Sequence, residues 1–221
     1  MTYTEKMTNT PLRPELEALP ERMRELPIDK RGYPVPWFVA WNNGEPEFRA
    51  MDGEKWRTAI KYRRCWVCGG GLGAHLVFTI GPMCGINRTT AEPPSHLECA
   101  RWSARNCPFL TQREIKRRED DDINAKCPVA GISIRRNPGV ALLWITRKYH
   151  LFPDGKGMYL IRIGEPDSLE WFSHGRIATR AEIEASVESG FPILMDMAIK
   201  HGGVDELLEQ KKRFEALYPP A

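Results

Sequence analysis

Apolar and polar positions along the chain alternate in short stretches, and long uninterrupted apolar runs are rare. From Tyr33 the run "YPVPWFVAW", the turn "NNGEP" and the run "EFRAM" predict a β-hairpin. Further on, "GVALLWIT", "GMYLIRI" and "SLEWF" are rich in β-forming residues, and Pro153, Asp154 and Gly155 favour a turn between the first two. This part of the pattern predicts a β-meander.

Helical spacing appears in four other stretches. "DGEKWRTAIKYRR" begins with Asp52, a predicted N-cap, and "TRAEIEASVESG" has Thr179 as N-cap, Glu182 as its capping-box partner and Gly190 as a stop. "FPILMDMAIKHGG" and "VDELLEQKKRFEALYPP" predict two more helices. Together the elements predict an α+β fold, with a small antiparallel sheet and C-terminal helices.

Composition divides the chain into three parts. The Pro-, Glu- and Arg-rich start predicts a flexible arm over 1–32, followed by an α+β module over 33–125 and a β-meander-plus-helices module over 126–221. No apolar run reaches the roughly 18 residues of a membrane helix, and the first residues lack a signal-peptide segment. We therefore expect a cytoplasmic protein without a membrane partner.

The stretch "CWVCGGGLGAHLVFTIGPMCGINRTTAEPPSHLECARW" contains four of the six cysteines. A Cys-x-x-Cys pair in a reducing compartment favours metal binding over a disulfide. The second pair, also separated by two residues, follows "PPS", a helix start with Ser95 as N-cap, and i, i+3 positions share one helix face. The spacing predicts a Zn²⁺ site of the Cys₃His type formed by Cys65, Cys68, His96 and Cys99.

Two questions about this site stay open in the sequence. Cys84 is an alternative fourth ligand in place of His96, while Cys107 and Cys127 have no assigned role. Four protein ligands leave no open coordination position, which favours a structural zinc over a catalytic one. We therefore expect no catalytic residues at the zinc.

Residues 65–105 resemble a treble-clef zinc finger, in which a knuckle, a hairpin and a helix supply the ligands. The resemblance implies a hairpin around Gly81-Pro82. HNH nucleases use a similar scaffold, and the order of His75 and Asn87 is similar to theirs, although Ala74-His75 replaces their usual Asp-His pair. An HNH-like nuclease is therefore an alternative, against His75 as a strand residue and Asn87 as a turn residue.

Positive charge gathers around the cysteines. Residues 61–118 hold ten lysines and arginines against three glutamates, a net charge of +7 in a chain of net +3, which favours an anionic partner. Trp66 and Trp102 would stack on bases if exposed. The predicted nucleic-acid face comprises Arg101, Arg105, Arg113, Lys116, Arg117 and Arg118. An ordinary solvated face and a protein-interaction module, such as an inhibitor or adaptor, are the alternatives.

Finally, "RGYPVPWFVAW", "GPMCGINR" and "EPPSHLECA" resemble segments of uncharacterised proteins of bacteriophages and their bacterial hosts. The resemblance implies an accessory protein of a phage or mobile element. The sequence therefore predicts a zinc-stabilised, nucleic-acid-binding or accessory protein, with DNA, RNA and protein all open as the partner.

Overall fold

The computed structural model describes residues 10–112, 130–131 and 138–220. The N-terminal half contains a 3₁₀ turn and, in order, β1 (Val39–Asn42), β2 (Glu45–Met51), α1 (Gly53–Tyr62), β3 (Leu76–Ile80), α2 (Pro82–Asn87), β4 (Thr89–Thr90), α3 (Leu97–Asn106) and α4 (Pro108–Thr111). The C-terminal half contains β5 (Ala141–Thr146), β6 (Tyr149–Pro153), β7 (Tyr159–Ile163), β8 (Ser168–Ser173), β9 (Arg176–Ile177), α5 (Arg180–His201) and α6 (Val204–Glu215). The fold is mixed helix and antiparallel sheet, as the sequence predicts.

The β-hairpin predicted after Tyr33 is confirmed, because β1 and β2 pair antiparallel. Asn43 and Gly44 connect the strands with φ angles of 52° and 81°, the left-handed conformations that a tight two-residue turn requires. Asp52 then caps α1, its side chain accepting hydrogen bonds from the backbone N–H groups of Glu54 and Lys55.

The predicted meander is wrong, because the strands form one long hairpin that bends in its middle. β5 pairs with β8, and β6 pairs with β7 nearer the tip, in nearly continuous register. At the bend, Thr146 Oγ1 donates to the Glu165 carbonyl at 2.7 Å, and Gly164 N donates to Lys148 O at 2.9 Å. The two halves then join different sheets, with orders β3-β5-β8-β9 and β4-β7-β6.

The centre of the four-stranded sheet is buried on both faces. Phe78 and Trp144 face a cluster that α2, α5 and α6 complete, whereas Val77 and Leu143 face α3 on the other side. This explains why every residue of β5 is buried and why its sequence is continuously apolar.

The helix that begins at Thr179 has the predicted capping box but does not end at Gly190. It continues through Pro192 to His201, so the two helices predicted here are one. Gly190 and Leu194 are both buried, which indicates that packing outweighs the local helix-breaking tendency of Gly and Pro.

Glu182→Ala is expected to destabilise the protein by about 1 kcal/mol, because it removes the capping box and the pair with Arg176. The Arg176 guanidinium and the Thr179 backbone N–H lower the pKa of Glu182 to about 2 from its ordinary 4.5. The folded pKa is thus depressed, so this stabilisation is present above the ordinary pKa and is lost as the pH falls towards about 2.

Thermal unfolding checks this expectation, with Glu184→Ala as the control. Glu184 lies on the same helix and pairs with Arg180 at 2.8 Å on an exposed face, which contributes only about 0.3–0.5 kcal/mol. Acid destabilisation of the rest of the protein affects both variants equally, so the difference between their stabilities at each pH reports on Glu182. An equal loss in the two variants, or a gap between them that does not change with pH, would contradict the prediction.

The three-part division of the chain stays a prediction, since residue 125 lies outside the described ranges. β3, from the first half, pairs along its length with β5 from the second.

Within the described ranges, no helix is both long enough and apolar enough to cross a membrane.

Candidate metal centre

Cys65 and Cys68 are positioned by a tight turn that follows α1. Cys65 N donates to Gly70 O at 2.7 Å, and Gly69 N donates back to Cys65 O at 2.8 Å. Gly69 has a φ of +73°, and a Cβ at this position would lie 2.8 Å from the Trp37 ring. The turn therefore requires glycine both for its backbone conformation and for its close approach to Trp37.

His96 and Cys99 are positioned by the start of α3. His96 is the N-cap residue, and its side chain makes no capping hydrogen bond, while Cys99 lies in the first turn. The prediction of Ser95 as N-cap is wrong, because Ser95 pairs through its backbone with Val77 of β3. The i, i+3 spacing nevertheless places both side chains on the side facing the cysteine turn.

The four side chains converge on one point. Their candidate ligand atoms all lie within 4.8 Å of one another. His96 Nδ1 lies 3.4 Å from Cys68 Sγ and 3.9 Å from Cys99 Sγ. Tetrahedral Zn²⁺, with Zn–S and Zn–N bonds of about 2.3 and 2.0 Å, requires S···N separations of about 3.5 Å. The arrangement therefore fits a tetrahedral metal ion.

A second layer of hydrogen bonds orients these ligands. His96 Nε2 lies 2.9 Å from Gly71 O, so the ring donates there, and the neutral ring then presents an unprotonated Nδ1 to the sulfurs. The backbone N–H groups of Cys68 and His96 donate to Cys65 Sγ at 3.5 and 3.4 Å. Such N–H···S bonds stabilise a thiolate, the form that binds metal.

The ionisation of the sulfurs also favours a bound cation. Hydrogen bonds from Cys68 and then Cys99 hold the pKa of Cys65 below its usual range. The pKa of Cys99 is instead raised, first by its hydrogen bond to Cys65 and then by its hydrogen bond to Cys68. Neighbouring thiolates in a partly buried site repel one another, and a divalent cation removes that conflict.

The N-terminal segment covers the buried side of the site, a contact that the sequence pattern does not predict. Met23 is buried in one cluster with Cys65, Cys99 and Trp102. Trp102 Nε1 donates to the Glu17 carbonyl at 3.1 Å. One pattern in the sequence is consistent with this packing, because four apolar residues are spaced at three- or four-residue intervals around Pro20: Leu16, Leu19, Met23 and Leu26.

The segment between the two ligand pairs departs from the predicted hairpin. β3 is followed by α2, whose first residue is Pro82, and β4 then pairs with β7 instead of β3. Cys84, the alternative ligand, lies on α2 and packs against the main core, outside the four-residue cluster. Proline at the first helical position, whose fixed φ suits a helix, explains why a helix replaces the turn.

The residues that resemble the HNH pattern lie at the ends of elements. His75 is exposed immediately before β3. Asn87 ends α2, and its side-chain oxygen accepts a hydrogen bond from the Thr89 N–H at 3.0 Å. This is the ordinary role of asparagine in a turn.

The predicted nucleic-acid face is only partly described. Arg101 Nε donates to Glu170 Oε2 at 2.8 Å, and Arg105 Nη1 lies 3.8 Å from Glu17 Oε2. Trp66 and Trp102 are both buried and present no ring face to a base. The remaining predicted residues, and Cys127, lie outside the described ranges: Arg113, Lys116, Arg117 and Arg118.

Comparison of the chain with protein-family models, with curated proteins and with solved structures finds no match. The chemistry of the cluster and the surface around it therefore carry the functional conclusion.

Proposed function

We propose that the cluster holds a structural Zn²⁺ and that the protein is a non-catalytic, zinc-stabilised nucleic-acid-binding protein. The observation that carries the metal assignment is the convergence of three sulfurs and one imidazole nitrogen within 4.8 Å. Such a ligand set is typical of structural zinc, and no position is left for a water molecule to be activated.

The order of turn, β3 and α3 supports the resemblance to treble-clef fingers, with ligands from the turn and from the first turn of the helix. The insertion of α2 distinguishes this module from a simple hairpin-based finger. An accessory role in a phage or mobile element remains part of this proposal, on the sequence resemblance alone.

Charge supports nucleic acid as the partner. Between Lys55 and Ala91 the chain carries six lysines and arginines and no carboxylate, and this stretch includes the cysteine turn. A local excess of this kind attracts a polyanion and increases the rate of encounter with it.

The test is fluorescence anisotropy with labelled DNA and RNA oligonucleotides over a range of salt concentrations. We expect binding that weakens linearly in log–log coordinates as salt rises, because each neutralised phosphate releases counterions. A Mg²⁺-dependent cleavage assay with His75→Ala belongs beside it, and cleavage lost in that variant would replace the non-catalytic assignment with the nuclease one. Absence of binding at low salt would contradict the proposal.

A protein-interaction module is the second candidate, and exposed apolar side chains on the C-terminal helices favour it. Ile199 on α5 is 66% exposed and Leu208 on α6 is 46% exposed. Large exposed apolar side chains are typical of contact surfaces when they form a continuous patch. The double substitution Ile199→Ser with Leu208→Ser separates the two candidates. If nucleic-acid binding is unaffected by it, the exposed apolar side chains do not contribute to that binding.

A further inference from the structure

The C-terminal end of α1 and the two residues after it form a basic surface next to the metal centre. Lys61, Tyr62, Arg63 and Arg64, here named the α1-end surface, are all exposed, and Cys65 follows them directly. None of the predicted nucleic-acid-binding residues belongs to it.

The three cations of this surface are free to meet an anion. Within the described part of the chain, Lys61, Arg63 and Arg64 form no ion pair, whereas Arg101 and Arg105 contact Glu170 and Glu17. A phosphate that binds the α1-end surface therefore displaces no carboxylate, whereas one that binds the α3 arginines has to compete with a glutamate.

Two of these cations hydrogen-bond to backbone carbonyls of the loop that connects Cys65 to β3. Arg63 Nη2 donates to Gly73 O at 2.9 Å, and Arg64 Nη1 approaches Gly69 O at 3.5 Å. A guanidinium has five N–H donors, so most remain available for phosphate oxygens. The backbone of Arg64 also bridges to Gly71, which joins this surface to the turn that Cys65 and Cys68 would close around zinc.

Arg63 occupies a backbone position at the end of α1 that usually favours glycine. Arg63 is the C-cap of α1 with a φ of 49° and a ψ of 57°, a left-handed conformation that glycine adopts most readily. An arginine there also interacts favourably with the helix C-terminus. The two roles are separable, because the helix role affects stability and the surface role affects ligand binding.

Tyr62 narrows the class of partner. Its side chain is 59% exposed, and the Lys61 ammonium lies 5.0 Å from the ring centroid. An exposed aromatic ring among cations is the combination that binds unpaired bases by stacking and their backbone by charge. We propose that the α1-end surface binds single-stranded nucleic acid, with Arg63 and Arg64 on phosphates and Tyr62 stacked on a base; this rests on the nucleic-acid-binding function proposed above.

The test compares three double variants and one single variant of the zinc-loaded full chain, using labelled single strands and the matching duplex. Arg63→Gln with Arg64→Gln should weaken single-strand binding at least tenfold and reduce the log–log salt slope by about 1.4, from two lost phosphate contacts. Tyr62→Ala should weaken single-strand binding about fivefold or more with an unchanged salt slope. Arg147→Gln with Arg213→Gln removes the same charge from exposed, ion-paired positions and should have little effect.

The third double variant, Arg101→Gln with Arg105→Gln, examines the competing face. If it weakens binding more than Arg63→Gln with Arg64→Gln does, the α1-end surface is the wrong site, although the proposed function stands. Equal affinity for duplex or for anionic lipid vesicles, together with no effect of Tyr62→Ala, would overturn the single-strand assignment. If the wild type binds no nucleic acid at low salt, the proposed function fails and the inference fails with it. Zinc content and melting temperature, measured for each variant, identify any loss due to unfolding.

Discussion

Cys65→Ser is expected to abolish stoichiometric zinc binding and to unfold the region from the cysteine turn to α3. Cys65 is fully buried, accepts two backbone N–H bonds and lies in one apolar cluster with Met23 and Trp102. Structural zinc supplies about 10–16 kcal/mol of apparent binding free energy, which is comparable with the whole stability of a typical domain, about 5–15 kcal/mol.

Metal analysis of the purified variant measures the loss of zinc, and tryptophan fluorescence measures the unfolding, since Trp66 and Trp102 are buried beside the site. Cys84→Ser is the matched control, because this thiol lies on α2 outside the cluster. It should retain one zinc ion per chain. Loss of zinc from Cys84→Ser, or one zinc ion retained in Cys65→Ser, would contradict the ligand assignment.

Gly85→Ala is expected to destabilise the protein by about 1–3 kcal/mol, because the added methyl group overpacks the core between α2 and α6. A Cβ at Gly85 would lie 2.4 Å from Phe214 Cε2 and 3.1 Å from Leu142 Cδ2. The Phe214 ring is held edge-on against Trp171, with centroids 5.6 Å apart, so it has little room to move away. The clash therefore outweighs the roughly 1 kcal/mol that alanine gains over glycine in a helix.

Gly53→Ala provides the control for this change. Gly53 begins α1, and a Cβ built there meets nothing within 4 Å. The same substitution should therefore leave stability unchanged or raise it slightly. Chemical denaturation of the two variants gives the comparison, and a Gly85→Ala protein as stable as the wild type would show that the contact between α2 and α6 is not tightly packed.

The ligand set was predictable because it depends on local geometry. A two-residue separation brings two side chains together in a tight turn and again in the first turn of a helix. The spacing in the sequence is therefore enough to identify Cys65, Cys68, His96 and Cys99 as the ligand set. The capping box at Thr179 and the turn at Asn43-Gly44 are local in the same sense. Each of these patterns depends on residues close to one another in the chain.

The features that the sequence pattern does not predict depend on contacts between residues that are distant in the chain. Arg101 and Arg63 are both basic residues near the cysteines, yet among the residues that the structure describes only Arg101 has a glutamate partner, which lies 69 residues away in sequence. The bent hairpin is non-local too, because β5 pairs with β8 although β6 and β7 lie between them in the chain. Packing of α5 against one face of the four-stranded sheet, where Leu194 is buried, likewise outweighs the local effect of Pro192.

The central claim is that Cys65, Cys68, Cys99 and the imidazole of His96 together bind one Zn²⁺. X-ray absorption at the zinc edge of the purified full-length chain tests it directly. We expect three sulfur neighbours at about 2.3 Å, one nitrogen at about 2.0 Å and no water oxygen. Four sulfur neighbours, a first shell with water oxygen, or a well-folded chain purified without zinc would contradict it.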